Sequence, residues 1–306
     1  MKNLVKYLER PGSEGGCLLA GWYQWADAGS ISSGLPGYLI DYIETRRVAE
    51  ILPDGFYLFQ VPGMHHHLRP EVKLDDGYPV AMQQRNNDFF YAGDEHPGLY
   101  LFLGEEPHMN EQAYADAFLS FVQEMNIKRV VAVGGVYGSM PYERDRRVSC
   151  TYSLAYMHKE LEDYAVRFSN YQGGTTIGSH MVHRAQHHGI EFITWNAFVP
   201  AYDFAPHSRM GQEMRIETDY RAWHELTRRF NHMFDLNIDL SELSQQSNAL
   251  TATLDSKLGE LDREVPQLGV QSYLDEIAVE FDDEPFSPLD DLWSQELGDI
   301  FDGLED

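Results

Sequence analysis

Asp27, Glu105, Glu106, His108, Arg144 and Tyr202 are the residues of this chain best placed to do chemistry, because each follows an apolar run and lies in or near a glycine- or proline-bearing segment. Paired carboxylates beside an arginine can separate their acidities and act as general acid and general base. The aromatic trio Trp22, Tyr23 and Trp25 could stack on a planar ligand, although aromatics at a strand end also serve packing and interfaces. A simpler reading gives the acids no catalysis at all. Negative side chains beside helix starts satisfy free N–H groups, so Glu105 or Glu106 would cap a helix beginning near Asn110 and Asp27 the earlier one. Capping requires no further assumption and is preferred.

Other chemistries have less support. Arg144, Arg146 and Arg147 form a basic knot in an acidic chain and, with the N–H groups of nearby glycines, could hold a phosphate or carboxylate; pairing with Glu143, Asp145 or other surface acids is the preferred alternative. His180, His183 and His187 fall on one helical face and His65, His66 and His67 form a local cluster. No HExxH, no CxxC pair and no carboxylate at a metal-site spacing accompanies them, so no metal and no cofactor is expected. No serine sits in a G-x-S-x-G elbow, and the glycines from Gly134 to Gly138 lack the Lys-Ser/Thr of a phosphate loop.

The elements that must position these residues are legible as alternating periods. Cys17 to Trp22 is a short continuous apolar run, the pattern of a strand covered on both faces, and Ile31, Leu35, Tyr38, Leu39 and Tyr42 then recur at helical spacing. Pro36 fits that helix if it starts near Ser33 and the ring falls in the first turn. Arg47 to Leu52 and Phe56 to Val61 read as strands, and Tyr78 to Gln84 with Asp88 to Tyr91 as a looser pair. Leu99 to Leu103 is a fully apolar strand, followed by a helix whose face is Tyr114, Ala117, Phe118, Phe121, Val122 and Met125. Val130 to Val133 repeats the strand signal and is expected to break at Gly134-Gly135; two parallel strands joined by a right-handed crossover helix follow. A helix from Ile177 to His188 precedes a last core strand, Ile190 to Phe198.

Beyond Thr218 the period stays helical. Tyr220, Trp223, Thr227, Phe230 and Phe234 share one face, Asp239 with Glu242 forms a capping box, and the stripe after it runs Leu240, Leu243, Leu250, Leu254, Leu258 and Leu261. Val270, Tyr273, Leu274, Ile277 and Phe281 make a third helix. The expected organisation is a core of residues 1–216, a helical subdomain over 217–281 and an acidic tail over 282–306. The tail carries Leu289, Leu292, Trp293, Leu297, Ile300, Phe301 and Leu304 on one helical face, which suits docking in a groove of this protein or of a partner.

Composition excludes some partners. The 306 residues are 43% apolar, enough for a full α/β core, and 23 Lys and Arg against 49 Asp and Glu give a formal charge of −26. That charge repels phosphate backbones and anionic membrane surfaces, so nucleic acid and membrane are not expected as partners. Two cysteines, Cys17 and Cys150, point to buried thiols in a reducing compartment rather than a disulfide framework, and a cytoplasmic protein is expected.

Five segments, in order across roughly residues 15–205, resemble the proteasome-assembly-chaperone family of the second-subunit type. They are Trp22 to Gly29; Arg69-Pro70-Glu71-Val72 with Gly77; Phe102 to Pro107; Val133-Gly134-Gly135 through Met140-Pro141; and Asn196 to Tyr202. The helical part around Ile238 to Leu243 is similar to that of the bacterial, chiefly actinobacterial, members. The resemblance implies a three-layer α/β/α sandwich of the phosphorylase/hydrolase-like kind with a small C-terminal helical subdomain. It also implies a protein-binding or assembly role more than catalysis; the aromatic residues and the helical appendage suit a homo-oligomer, which is expected. The alternative is a hydrolase or phosphorylase acting on a small anionic or nucleoside-like ligand, in a crevice at the strand carboxyl ends that Trp22, Gly29, His108, Gly134, Gly135, Arg144 and Tyr202 would line. Two departures stand out. Tyr142-Glu143-Arg144 follows Met140-Pro141 where the family carries His-Thr-Arg, and the chain ends Leu304-Glu305-Asp306, without the hydrophobic-Tyr-x tail by which some relatives dock on a proteasome ring.

Overall fold

The computed structural model describes residues 4–12, 15–59, 69–82, 85–93, 96, 98–204, 213–283 and 285–286. Strands β1 (Val5–Tyr7) and β2 (Cys17–Tyr23) precede helix α1 (Ile31–Tyr42) and strand β3 (Arg46–Ile51). A hairpin of β4 (Val72–Asp75) and β5 (Tyr78–Met82) leads to β6 (Asp88–Tyr91), β7 (Leu99–Glu105), α2 (Glu111–Glu124) and β8 (Arg129–Gly138). Next come β9 (Val148–Tyr152), the short α3 (His158–Leu161), β10 (Arg167–Phe168), α4 (Ile177–His188), β11 (Glu191–Asp203) and β12 (Glu213–Arg215). Helices α5 (Tyr220–Phe234), α6 (Ser241–Glu264) and α7 (Val270–Glu280) follow.

One ten-stranded sheet runs β1-β3-β6-β7-β2-β8-β11-β9-β10, with β12 attached to β11. Its centre, β7-β2-β8-β11, is parallel, and antiparallel pairs extend it on both sides. Alternation along β2 divides the core. Cys17 and Leu19 join Ile31, Leu35 and Leu39 of α1 and Trp223, Leu226 and Phe230 of α5 on one face. Leu18, Ala20 and Trp22 join Phe118 and Phe121 of α2 and Met181 and Ala185 of α4 on the other. Residues two apart in a strand share a face, so a strand buried on both sides needs the unbroken apolar run that β2 has. The outcome is the expected three-layer α/β/α sandwich with C-terminal helices.

Several local expectations change. Gly134-Gly135 does not end a strand: β8 continues through them to Gly138. They are needed within the strand because the Ala26–Ala28 segment lies on it, and Gly135 donates its N–H to the Ala26 carbonyl at 2.9 Å. β7 and β8 are parallel as expected but are not neighbours, since β2 lies between them. Phe56 starts no strand; its N–H closes a turn onto Pro53 and its carbonyl accepts from His108 and Met109, so this segment packs over the start of α2. Residues 60 and 61 of that expected strand lie outside the described residues. Tyr78 to Met82 pairs with Val72 to Asp75 rather than with Asp88 to Tyr91, which instead enters the main sheet between β3 and β7.

α1 begins at Ile31, two residues before Ser33, so Pro36 stands inside the helix. Without an N–H, Pro36 cannot bond the Ser32 carbonyl, and that oxygen lies so close to β2 that a Cβ on Gly21 would stand 1.8 Å from it. Glycine at 21 is therefore what lets helix and strand touch. On α6 the leucine stripe packs as expected, with Leu243, Leu254 and Leu258 buried. The capping box forms in part. Asp239 accepts from the Ser241 N–H at 2.9 Å, while the Glu242 carboxylate accepts from Tyr38 and Gln246 instead of turning back.

The first tail residues fold onto this chain. Asp282 pairs with Arg167 at 2.9 Å, Asp283 with Arg144 at 3.2 Å, and Phe286 is buried against Tyr164 and Arg229. The amphipathic stripe from Leu289 to Leu304 lies outside the described residues.

Candidate functional site

The register of three neighbouring strands builds the floor of a cleft. Asn196 of β11 stands opposite Gly134 of β8 and Ser149 of β9, and Thr194 stands opposite Thr151 two residues earlier on the same face. This gives a polar stripe of Ser149, Thr151, Thr194 and Asn196, of which Ser149, Thr151 and Asn196 line the cleft and Thr194 is buried beneath it. Gly134 permits it, since a Cβ there would stand 2.3 Å from the Asn196 side-chain oxygen. The start of α4 forms one wall, where Thr176 caps the helix by accepting from the Ser179 N–H at 3.1 Å. The segment from Trp25 to Ala28 forms another. Together these enclose about 500 Å³, rimmed by Trp25, Tyr137, Tyr171 and Phe198. Trp25 is 70% exposed.

The carboxylates expected to act here are bound up in the scaffold. Asp27 accepts from the N–H groups of Ser32 at 2.8 Å and Ser33 at 3.0 Å and from the Ser33 hydroxyl at 2.6 Å, which closes the first turn of α1. Burial nevertheless pushes its carboxyl above the ordinary range, against the pull of those donors. Asp27→Ala removes all three bonds and is expected to cost about 1–2 kcal/mol in urea unfolding; an unchanged midpoint would show that the cap is idle. Glu105 pairs with Arg85. Glu106 does not cap α2. It accepts from the Trp25 N–H at 3.3 Å and from the Ile177 N–H at the head of α4, and burial raises its carboxyl. The α2 start is held otherwise, with Asn110 donating to the Gly55 carbonyl.

Of the expected ligand residues, only Gly135 lines the cleft, with Gly134 immediately below Asn196. Trp22 is fully buried in the α2 side of the core and donates its indole N–H to Tyr114 at 3.0 Å, so it cannot reach a ligand. Gly29, at φ 64°, accepts from the Asp219 N–H at 2.9 Å and joins the loop to α5. His108 accepts from the Leu58 N–H at 3.1 Å, and burial holds its imidazole below the usual pKa. Arg144 is turned to Asp283. Tyr202 is buried, donating to the Met140 carbonyl at 2.8 Å.

The arginine knot proves structural. Arg146 is buried and forks onto Asp219, with Nε to Oδ2 at 2.7 Å and Nη2 to Oδ1 at 3.2 Å, while Nη1 donates to the Tyr142 and Arg144 carbonyls. Its own N–H donates to Glu225, whose buried carboxyl is pushed up to about 7. Arg147 lies over the Phe281 ring at 4.8 Å. Both cysteines are buried free thiols. His183 and His187 pack edge to face on α4, and His65 to His67 lie outside the described residues. Among the described residues no group of three or more His, Cys, Asp or Glu is placed to hold a metal ion, and no helix is long and apolar enough to cross a membrane.

A parallel-centred α/β/α sandwich with a cleft beside the ends of β8 and β11 defines the structural class. The PAC2 family profile matches residues 22–257, and the chain belongs to that family. Among solved structures it is similar to a proteasome-assembly chaperone homologue from Mycobacterium tuberculosis, at 22% identity and a TM-score of 0.65, covering 78% of this chain and 94% of that one. A PAC2 family protein from Streptomyces avermitilis matches at 24% identity and 0.65, covering 79% and 95%. An archaeal proteasome activator from Pyrococcus furiosus matches at 16% identity and 0.57, covering 84% and 99%. At these identities the likeness is one of fold. No curated protein matches the chain.

Ser149, Thr151 and Asn196 line the cleft, and none of them is among the expected ligand residues. Their signal was polar residues at alternate positions in otherwise apolar runs, which mark one face of a strand as lining something other than core.

Proposed function

We propose that the protein is a protein-binding factor of the assembly-chaperone kind, contacting its partner through the β4–β5 ribbon. The observation that carries this is the ribbon itself. Every residue of both strands is exposed, and Val72, Leu74, Tyr78, Val80 and Met82 are large apolar side chains among them, Tyr78 at 72% and Leu74 at 57% exposure. A two-stranded ribbon has little stability alone, and exposed apolar groups on one mark a surface that another molecule covers. Membership of the PAC2 family supports the reading, as does the description of fold relatives as a proteasome-assembly chaperone homologue and a proteasome activator. The same reading has the protein act in the cytoplasm as a homo-oligomer, which light scattering on the purified chain would measure.

Quantitative affinity capture comparing the natural chain with Leu74→Glu/Val80→Glu tests the surface. Both positions are exposed, so folding is expected to survive, while partners held by the ribbon are lost. An unchanged partner list would remove the ribbon from the account.

A further inference from the structure

The cleft above the polar stripe has a use that partner binding by the ribbon does not explain. Its size lies within the range of small-molecule sites, roughly 300–1,000 Å³, at about 500 Å³. Among the described residues its lining contains no charged side chain. Arg215 lies over the Tyr137 ring at 5.1 Å and is not part of the lining. What the lining offers is hydroxyls, one carboxamide and aromatic faces. Ser149 donates to the Asn196 carbonyl at 3.3 Å and Ser169 accepts from the Tyr171 N–H at 3.3 Å, so each hydroxyl retains hydrogen-bonding capacity. The Asn196 carboxamide, laid over Gly134, presents both a donor and an acceptor.

We propose that this cleft binds an uncharged, hydroxyl-bearing ring compound, a sugar or a nucleoside, with one ring face against Trp25 and its hydroxyls bonded to Asn196 and Ser149. Aromatic faces accept the apolar side of such a ring, and neutral donors and acceptors match its rim without the desolvation of a charge. A chain of formal charge −26 disfavours the anionic form of the same ligand. Of the small anionic or nucleoside-like ligand in the alternative reading, this takes the neutral side, because pairing and capping hold Glu105, Glu106 and Arg144 elsewhere.

Ligand-observed saturation-transfer NMR on the full chain tests the assignment. The probes are neutral mono- and disaccharides, the common nucleosides, and a phosphorylated or acid counterpart of each. Binding by the sugars alone, or by the nucleosides alone, supports the proposal and names the source. Trp25→Ala and Asn196→Ala are each expected to weaken the bound probe roughly tenfold, while Trp25→Phe retains most of the affinity and Tyr156→Ala, at an exposed site outside the lining, leaves it unchanged. Thermal unfolding of each variant confirms that it is folded. Three results overturn the proposal: no neutral probe binds, a charged counterpart binds more tightly than its neutral parent, or Trp25→Ala and Asn196→Ala bind the probe as tightly as the natural chain does. None of them bears on the ribbon, so this inference and the protein-binding reading fail separately.

Discussion

Gly135→Ala is expected to be among the most damaging conservative changes in the chain. A Cβ at this position would stand 1.9 Å from the Ala28 carbonyl oxygen and 2.8 Å from its carbon. Both are backbone atoms, so no side-chain rotation relieves the clash. Neither partner is free to retreat. Gly135 is bonded to Ala26, Asp27 forms a bridge with it, and the following Gly29 is tied to Asp219. The expected cost is about 3 kcal/mol or more, read as a fall in the thermal or urea midpoint. Gly174→Ala is the control, since a Cβ there meets nothing within 4 Å, and it is expected to change stability by no more than about 0.5 kcal/mol. Equal midpoints for the two variants would mean that the Ala26–Ala28 segment does not lie on β8 as described.

Arg146→Met is the second large effect. The guanidinium and the Asp219 carboxylate are both almost wholly buried, at 1% and 0% side-chain exposure, and removing one partner leaves the other charge without compensation. The expected loss is about 3–5 kcal/mol. Asp219 also caps α5 through the Ala222 N–H at 3.1 Å, so its removal adds the loss of a cap. The pair is expected to be non-additive: Arg146→Met with Asp219→Leu should cost less than the sum of the single changes by roughly 1–3 kcal/mol. Additive values would contradict a direct pairing. The result matters beyond stability, because Arg146 and Asp219 join the 142–147 loop, the Gly29 turn and α5 at a single point.

How much of this was legible in the sequence depended on whether the deciding contact was local. Helices α4 and α5 fall on the expected residues because one apolar face at a 3.6-residue period fixes each, and β2 because an unbroken apolar run has few other uses. Gly134-Gly135 misled for the opposite reason. Glycine is a local signal for a turn, whereas here it answers a contact from residues more than a hundred positions earlier, and only the fold reveals that. Asp76-Gly77 was a local signal left unread. Both residues have positive φ, at 46° and 83°, and they sit between two alternating strands, the pattern of a two-residue hairpin turn. The strand before that turn, Val72–Asp75, lies exposed on both faces and was not expected, so Tyr78 to Gln84 was paired with Asp88 to Tyr91 instead.

The candidate site shows the same division. That the loops of Asp27, Glu106 and Gly135 meet at one rim follows from the parallel order of β7, β2 and β8, and the Glu106 N–H bonded to Tyr23 and the Gly135 N–H bonded to Ala26 show that contact. Which way each side chain turns was not available from order alone. Trp22 and Tyr23 are adjacent, yet one is buried and the other exposed, because strand alternation sends them to opposite faces. Arg144 and Arg146 likewise part, one to the tail and one to the core.

The most direct test of the protein-binding account places a photo-crosslinking residue at Tyr78 on the ribbon and, separately, at Tyr156, which is similarly exposed at 67% but lies beyond the sheet's other side. After irradiation in the native cell, the account predicts a discrete crosslinked species from position 78 and none from position 156. Crosslinks from 156 with none from 78 would contradict it.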